Sequence, residues 1–178
     1  VSKGNSIIAR MYRYITLLLS MKPNEHEYKL MGLAPYCKLK YSEKLFNHFK
    51  TLQTVKRFNF IDKKKPKDSY FYFKNLFNGQ RFDAIAGSLQ RYTEYLMTKW
   101  ITNIVDPKKS KNLCLAGGVA MNVKSNLEIS KLKNISKIYI PPAPDDSSQS
   151  MGACYAFCLL NGVKTFPIDN AYLGYKIS

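Results

Sequence analysis

Apolar residues recur at helical spacing in several stretches of the chain. Ile8, Met11, Ile15 and Leu18 fall on one face of a helix predicted over 5–20, which Met21-Lys22-Pro23-Asn24 ends. Glu27 to Met31 reads as one short helical turn, closed by a loop at Gly32-Leu33-Ala34-Pro35. A second helix is predicted over 42–54, with Ser42 as its N-cap and Leu45, Phe49 and Leu52 facing inward. Arg57 to Ile61 has the look of a short strand, and 62–82 has no clear period. The longest helix is predicted over 84–105, capped by Asp83, with Ile85, Leu89, Tyr92, Leu96, Trp100 and Ile104 as its inner stripe.

The pattern changes in the last third. Leu113-Cys114-Leu115-Ala116 is a continuous apolar run of strand length, and reads as a buried strand. Gly117-Gly118 then leads into a helix over about 120–132. A second strand spans Lys137 to Ile140, Pro141-Pro142-Ala143-Pro144 stops it, and a helix follows from Ser147 to Leu160. Two strands separated by one helix and short links predict an α/β region with a parallel pair and a right-handed crossover. The sequence contains no internal repeat.

Composition narrows the classes. The chain has 178 residues, 46% of them hydrophobic and 22% charged, which excludes wholesale disorder. No run approaches the length of a membrane helix. Four cysteines do not make a disulfide scaffold, so a reducing, cytoplasmic setting is expected. The net charge is +16, with 23 lysines but 5 arginines. Such a balance suits a solvated lysine-rich surface better than a nucleic-acid reader, which favours arginine forks. Lys63-Lys64-Lys65-Pro66-Lys67 is expected to be an exposed loop. The first residue is Val1 and no signal-peptide pattern follows, so the sequence reads as a piece of a longer protein.

Three segments could carry chemistry. Gly117 and Gly118 end a strand ahead of a helix, where the backbone can approach an anion closely; the same diglycine also serves as a plain tight turn. Asn122, just beyond, suits hydrogen bonding to a nucleotide. Asp145 and Asp146 end the second strand's loop, at the same predicted sheet edge. They read either as helix caps or as a cation ligand. In Glu25-His26-Glu27-Tyr28-Lys29, Lys29 would pair with Glu27 or reach a phosphate. Cys154 and Cys158, four apart, read as small buried side chains. The cluster Tyr70-Phe71-Tyr72-Phe73 would either pack in a core or stack bases.

Four stretches together resemble the carbamoyltransferase family that includes nodulation-type and antibiotic O-carbamoyltransferases. They are EHEYKLMGLAPY (25–36), LAGGVAMNVKSN (115–126), PPAPDDSSQSMGA (141–153) and AYLG (171–174), in family order and spacing. The resemblance implies an actin-like ATPase lobe (the ASKHA, ribonuclease H-like class), with relatives among threonylcarbamoyl-transfer enzymes of tRNA modification. It also implies an upstream lobe with paired metal-binding histidines and a downstream carbamoyl-adenylate-forming domain, both outside these 178 residues.

By that resemblance, ATP and carbamoyl phosphate are substrates, and the carbamoyl group passes through carbamoyl-adenylate to a small acceptor bearing a hydroxyl. Gly117, Gly118, Val119 and Asn122 would contact the nucleotide, Lys29 joining them on its own reading as a phosphate-reaching side chain, and Asp146 would ligate a divalent metal, iron or similar. Asp146 keeps the family offset to Met151-Gly152. The family commonly has glycine where this chain has Cys37, Asp145 and Ser148, and the extra carboxylate at Asp145 competes for the ligand role. The segment by itself is expected to be inactive and prone to self-association. An actin-like ATPase or phosphotransferase without carbamoyl chemistry, and a basic nucleic-acid-binding module, are the alternatives.

Overall fold

The computed structural model describes residues 6–106, 111–168, 170 and 174. The elements run α1 (Ile8–Leu18), α2 (Glu27–Leu33), a 3-10 turn (Ala34–Tyr36), α3 (Leu39–Phe49), β1 (Gln53–Lys56), β2 (Asn59–Asp62), α4 (Ser69–Phe77) and α5 (Phe82–Ile104). They continue through β3 (Lys111–Cys114), a 3-10 turn (Gly118–Met121), α6 (Val123–Ser130), β4 (Ile135–Tyr139), a 3-10 turn (Asp146–Ser148) and α7 (Gln149–Leu160). Apart from Gly174, the AYLG stretch lies outside the described residues.

The core is built around α5. Ile85, Leu89, Tyr92 and Leu96 are buried as their spacing predicts, but the stripe ends on Met97 and Ile101. Trp100 is half-buried, its Nε1 donating to the Phe58 carbonyl at 3.0 Å, and Ile104 is 40% exposed. A helix of 23 residues meets different neighbours along its length, so one period cannot hold throughout. Against α5 pack Ile8, Met11 and Ile15 of α1, Leu45 and Phe49 of α3, and Leu52 and Val55 beyond it.

Several local expectations are corrected. Helix α3 starts at Leu39, so Ser42 is not its cap. Ser42 is buried inside the helix, donating to the Leu39 carbonyl at 2.9 Å and accepting from Arg91 Nη1 at 2.7 Å. The expected loop at Gly32–Pro35 is helix and 3-10 turn instead. Arg57 does not open a strand; it sits at φ 54° in a two-residue turn that joins β1 and β2 as an antiparallel hairpin. No glycine marks that turn. The aromatic cluster lies on α4, capped by Asp68, which accepts from the Phe71 N–H at 3.0 Å. Phe73 and Phe77 stack at 5.6 Å within the core, while Phe71 is exposed. Lys63 to Lys67 is irregular and exposed save for Pro66, as expected.

Strands β3 and β4 are parallel neighbours, with Leu113 opposite Ile138 and Cys114 opposite Tyr139, and α6 lies between them in sequence. The α/β reading of this region therefore holds. The expectation of a buried strand does not: Cys114 is exposed and Leu113 half-buried, because the described sheet has two strands and α6 covers only part of it. Helix α7 likewise buries none of its residues, so Cys154 is exposed and Cys158 half-buried, against expectation. Among the described residues, no helix is long and apolar enough to cross a membrane.

Candidate functional site

The turns after β3 and β4 meet at one sheet edge. Gly117 has φ 98° and ψ 158°, a conformation open to glycine and strained for any other residue. Its N–H donates to the Pro144 carbonyl, clipping the first turn to the second. That amide is thereby committed and does not point free toward a ligand. Space above both glycines is open: a Cβ built on Gly117 or Gly118 would meet nothing within 4 Å.

A cavity of about 530 Å³ opens beside this edge, within the size range of small-molecule sites. Gly118, Val119, Met121 and Asn122 form one part of its wall. Ile8, Ala9, Arg10, Tyr12 and Arg13 of α1 form another, and Asn24, Glu25, Glu27, Tyr28 and Met31 a third. Asp145 joins the first wall from the second turn. The diglycine, EHEY and PPAPDD segments thus converge on one space, although residues 25 and 145 are far apart in sequence.

The predicted site residues fare differently within it. Gly118 and Val119 face the cavity, and Gly117 is the clip behind them. Asn122 borders the cavity but its side chain is fully engaged. Its Nδ2 donates to the Tyr12 hydroxyl and to Gln90 Oε1, both at 2.9 Å. Its Oδ1 accepts from Gln90 Nε2 at 3.0 Å and from the Ser125 N–H at 2.9 Å, which caps α6. All four hydrogen-bonding positions of the amide are filled, so it builds the turn and leaves none spare for a nucleotide. Tyr12 in turn donates to Gln90 Oε1 at 2.7 Å, and burial pushes its hydroxyl pKa well above the usual tyrosine value.

Lys29 does not border the cavity. It is exposed, with its Nζ 5.8 Å from the Tyr28 ring centroid. Glu27, its expected partner, instead accepts from the Asn24 N–H at 2.7 Å. Asp146 is exposed, accepts from Gln149 Nε2 at 3.3 Å, and is absent from the cavity wall that Asp145 joins. Asp145 also accepts from the Ser147 N–H at 3.1 Å, the capping role read from sequence. The extended backbone at Asp145 turns adjacent side chains to different sides. Among the described residues no three His, Cys, Asp or Glu side chains gather to hold a metal. Asp146 offers one accessible carboxylate outside that wall, a single ligand position and no more.

Arg10, Arg13 and Tyr12 were not singled out in the sequence. A usable signal existed for the first two, since two of five arginines stand three apart on the polar side of one helix.

The model of the family described as carbamoyltransferase N-terminus matches residues 3–155. An uncharacterised protein of Synechocystis sp. is 30% identical over 160 residues, covering 80% of this chain and 26% of the relative. An uncharacterised protein of Methanocaldococcus jannaschii is 27% identical over 175 residues, covering 96% of this chain and 33% of its own length. Nodulation protein U of Rhizobium fredii is 36% identical over 75 residues, covering 41% of this chain and 13% of that protein. The chain therefore spans about a quarter to a third of the first two relatives. The family match runs without a break through every segment that walls the cavity, from α1 to Asp145, and on this basis the chain belongs to the carbamoyltransferase family and falls in the N-terminal region of its members.

Proposed function

We propose that this chain forms part of an actin-like lobe of an enzyme that transfers a carbamoyl group to an acceptor hydroxyl, and that the cavity holds the nucleotide end of the carbamoyl donor. The observation that carries this is the clipped pair of turns: Gly117 binds Pro144 across the edge of a parallel pair, with open space over Gly118. In α/β sheets ligands bind outside the carboxyl ends of the strands, where this cavity lies.

In this reading ATP, carbamoyl phosphate and water give carbamoyl-adenylate, pyrophosphate and phosphate elsewhere in the protein. The acceptor oxygen then attacks the carbamoyl carbon, the bond to the adenylate phosphate breaks, AMP leaves, and the hydroxyl proton is lost. Gly117, Gly118 and Val119 shape the backbone wall that admits the nucleotide. Asn122 holds that wall in place through Gln90 and Tyr12 rather than touching the ligand. A divalent cation held in part by Asp146, with histidines from an upstream lobe, would supply polarisation of the carbamoyl carbonyl.

Gly118→Leu tests the reading. The side chain has room in the fold and projects into the cavity, so the melting temperature should hold. ADP affinity should fall by about tenfold or more, the cost of overfilling an occupied site. Unchanged ADP affinity would sink the assignment. ATP turnover without carbamoyl phosphate, lost in the same variant, would move the chemistry to an ATPase of the same architecture.

A further inference from the structure

Two guanidinium groups on the α1 wall have no role in the reading above. Arg10 and Arg13 stand one turn apart on α1, both border the cavity, and both are exposed to it. In a chain with 23 lysines and 5 arginines, this placement is selective. Arg81 and Arg91 are committed elsewhere, to Asp83 at 2.9 Å and to Glu43 at 2.9 Å. Among the described residues neither Arg10 nor Arg13 forms an ion pair.

Three carboxylates share the cavity wall, and none of them is paired with either arginine. Glu25 pairs with Lys22, Glu27 accepts from the Asn24 N–H, and Asp145 accepts from the Ser147 N–H. Each acid is thus engaged by its own loop. Arg10 and Arg13 are thus two planar, permanently charged donors without an ion-pair partner, on the same cavity as the open backbone at Gly118. Guanidinium forks match phosphate oxygens in geometry as well as charge, and hold them better than lysine does.

We propose that Arg10 and Arg13 form a phosphate clamp, binding the phosphoryl group of the ligand that occupies the cavity. That ligand's identity as a nucleotide rests on the preceding reading; the clamp itself requires only a phosphoryl group, whether of a nucleotide or of a small acyl phosphate.

The test is calorimetric titration of the intact protein with ADP, adenosine and inorganic pyrophosphate, for wild type, Arg10→Gln, Arg13→Gln, the double variant and Gly118→Leu. Each single arginine change should weaken ADP and pyrophosphate by about tenfold, the worth of a charge-assisted hydrogen bond, and the double variant by more. Adenosine binding and the melting temperature should stay the same. Wild-type ADP binding much tighter than pyrophosphate would mark a nucleotide, and equal affinities a small phosphate; either supports the clamp. ADP affinity retained in the double variant would overturn it, as would an equal loss of adenosine and ADP, or failure of wild type to bind both ADP and pyrophosphate. Should Gly118→Leu leave ADP binding intact while the arginine variants lose it, the clamp stands and the nucleotide assignment of the diglycine turn falls.

Discussion

Asn122→Ala would remove the centre of the buried network that holds the cavity's backbone wall. The side chain makes four hydrogen bonds: one caps α6 through Ser125, two form a reciprocal amide pair with Gln90, and one reaches Tyr12. Loss of the cap costs about 1 kcal/mol. Each remaining bond between neutral groups is worth about 0.5–1.5 kcal/mol net. The lower half of that range applies, because no partner other than the Ser125 N–H is orphaned. Tyr12 keeps Gln90 Oε1 as acceptor, and Gln90 Nε2 keeps Glu94 Oε1 at 2.8 Å. The expected destabilisation is therefore about 2.5–4 kcal/mol. Urea unfolding would read it as a lower midpoint with an unchanged slope. Tyr12→Phe, which deletes one hydroxyl, should cost about 1 kcal/mol. Asn122→Ala combined with Gln90→Ala should be less harmful than the sum of the two, with a coupling of at least about 0.5 kcal/mol. A loss under about 1 kcal/mol for Asn122→Ala, or strict additivity of the double variant, would show that the network is not what holds this turn.

Two further outcomes concern the fold. Burial, and secondarily the charge of Lys64, holds the His48 pKa below the usual imidazole value, and His48 Nε2 meets the Tyr72 hydroxyl at 2.6 Å. The folded state thus disfavours the protonated ring, so stability is complete above about pH 6.5 and declines as pH falls through the lowered folded-state value. Melting curves from pH 7.5 to 5 should show that decline, and His48→Gln should flatten it; an identical slope in the variant would refute the cause. At Gly87 an added Cβ would stand 2.7 Å from Cys37 Cβ and 3.1 Å from its Sγ. Gly87→Ala should therefore destabilise by up to about 2 kcal/mol, overpacking outweighing a helix-propensity gain near 1 kcal/mol. Adding Cys37→Gly should recover the loss in a thermal denaturation series, and failure to recover would place the clash elsewhere.

Elements whose causes are local could be read from the residues alone. The parallel pair was legible because two apolar runs flank one helix with links too short for other pairings, and β3 and β4 pair as expected. Helix α5 was legible because its apolar spacing holds from Ile85 to Leu96, long enough to mark a helix even though the stripe shifts beyond it. The diglycine turn was legible because a left-handed φ selects glycine, as Gly117 shows. Helix α4 was hidden because an unbroken aromatic run has no period, leaving only the Asp68 cap as a signal. The rest depends on contacts between distant segments. Asn122 meets Tyr12 across 110 residues and Gln90 across 32, so no local pattern could reveal that its amide is consumed in building the wall. Which of two adjacent aspartates borders the cavity depends on backbone direction at Asp145, and the gathering of Arg10, Arg13 and Gly118 on one space depends on how α1 and the β3 turn pack. Periodicity records which side of an element is apolar; it carries no information about which distant element that side, or its polar counterpart, will face.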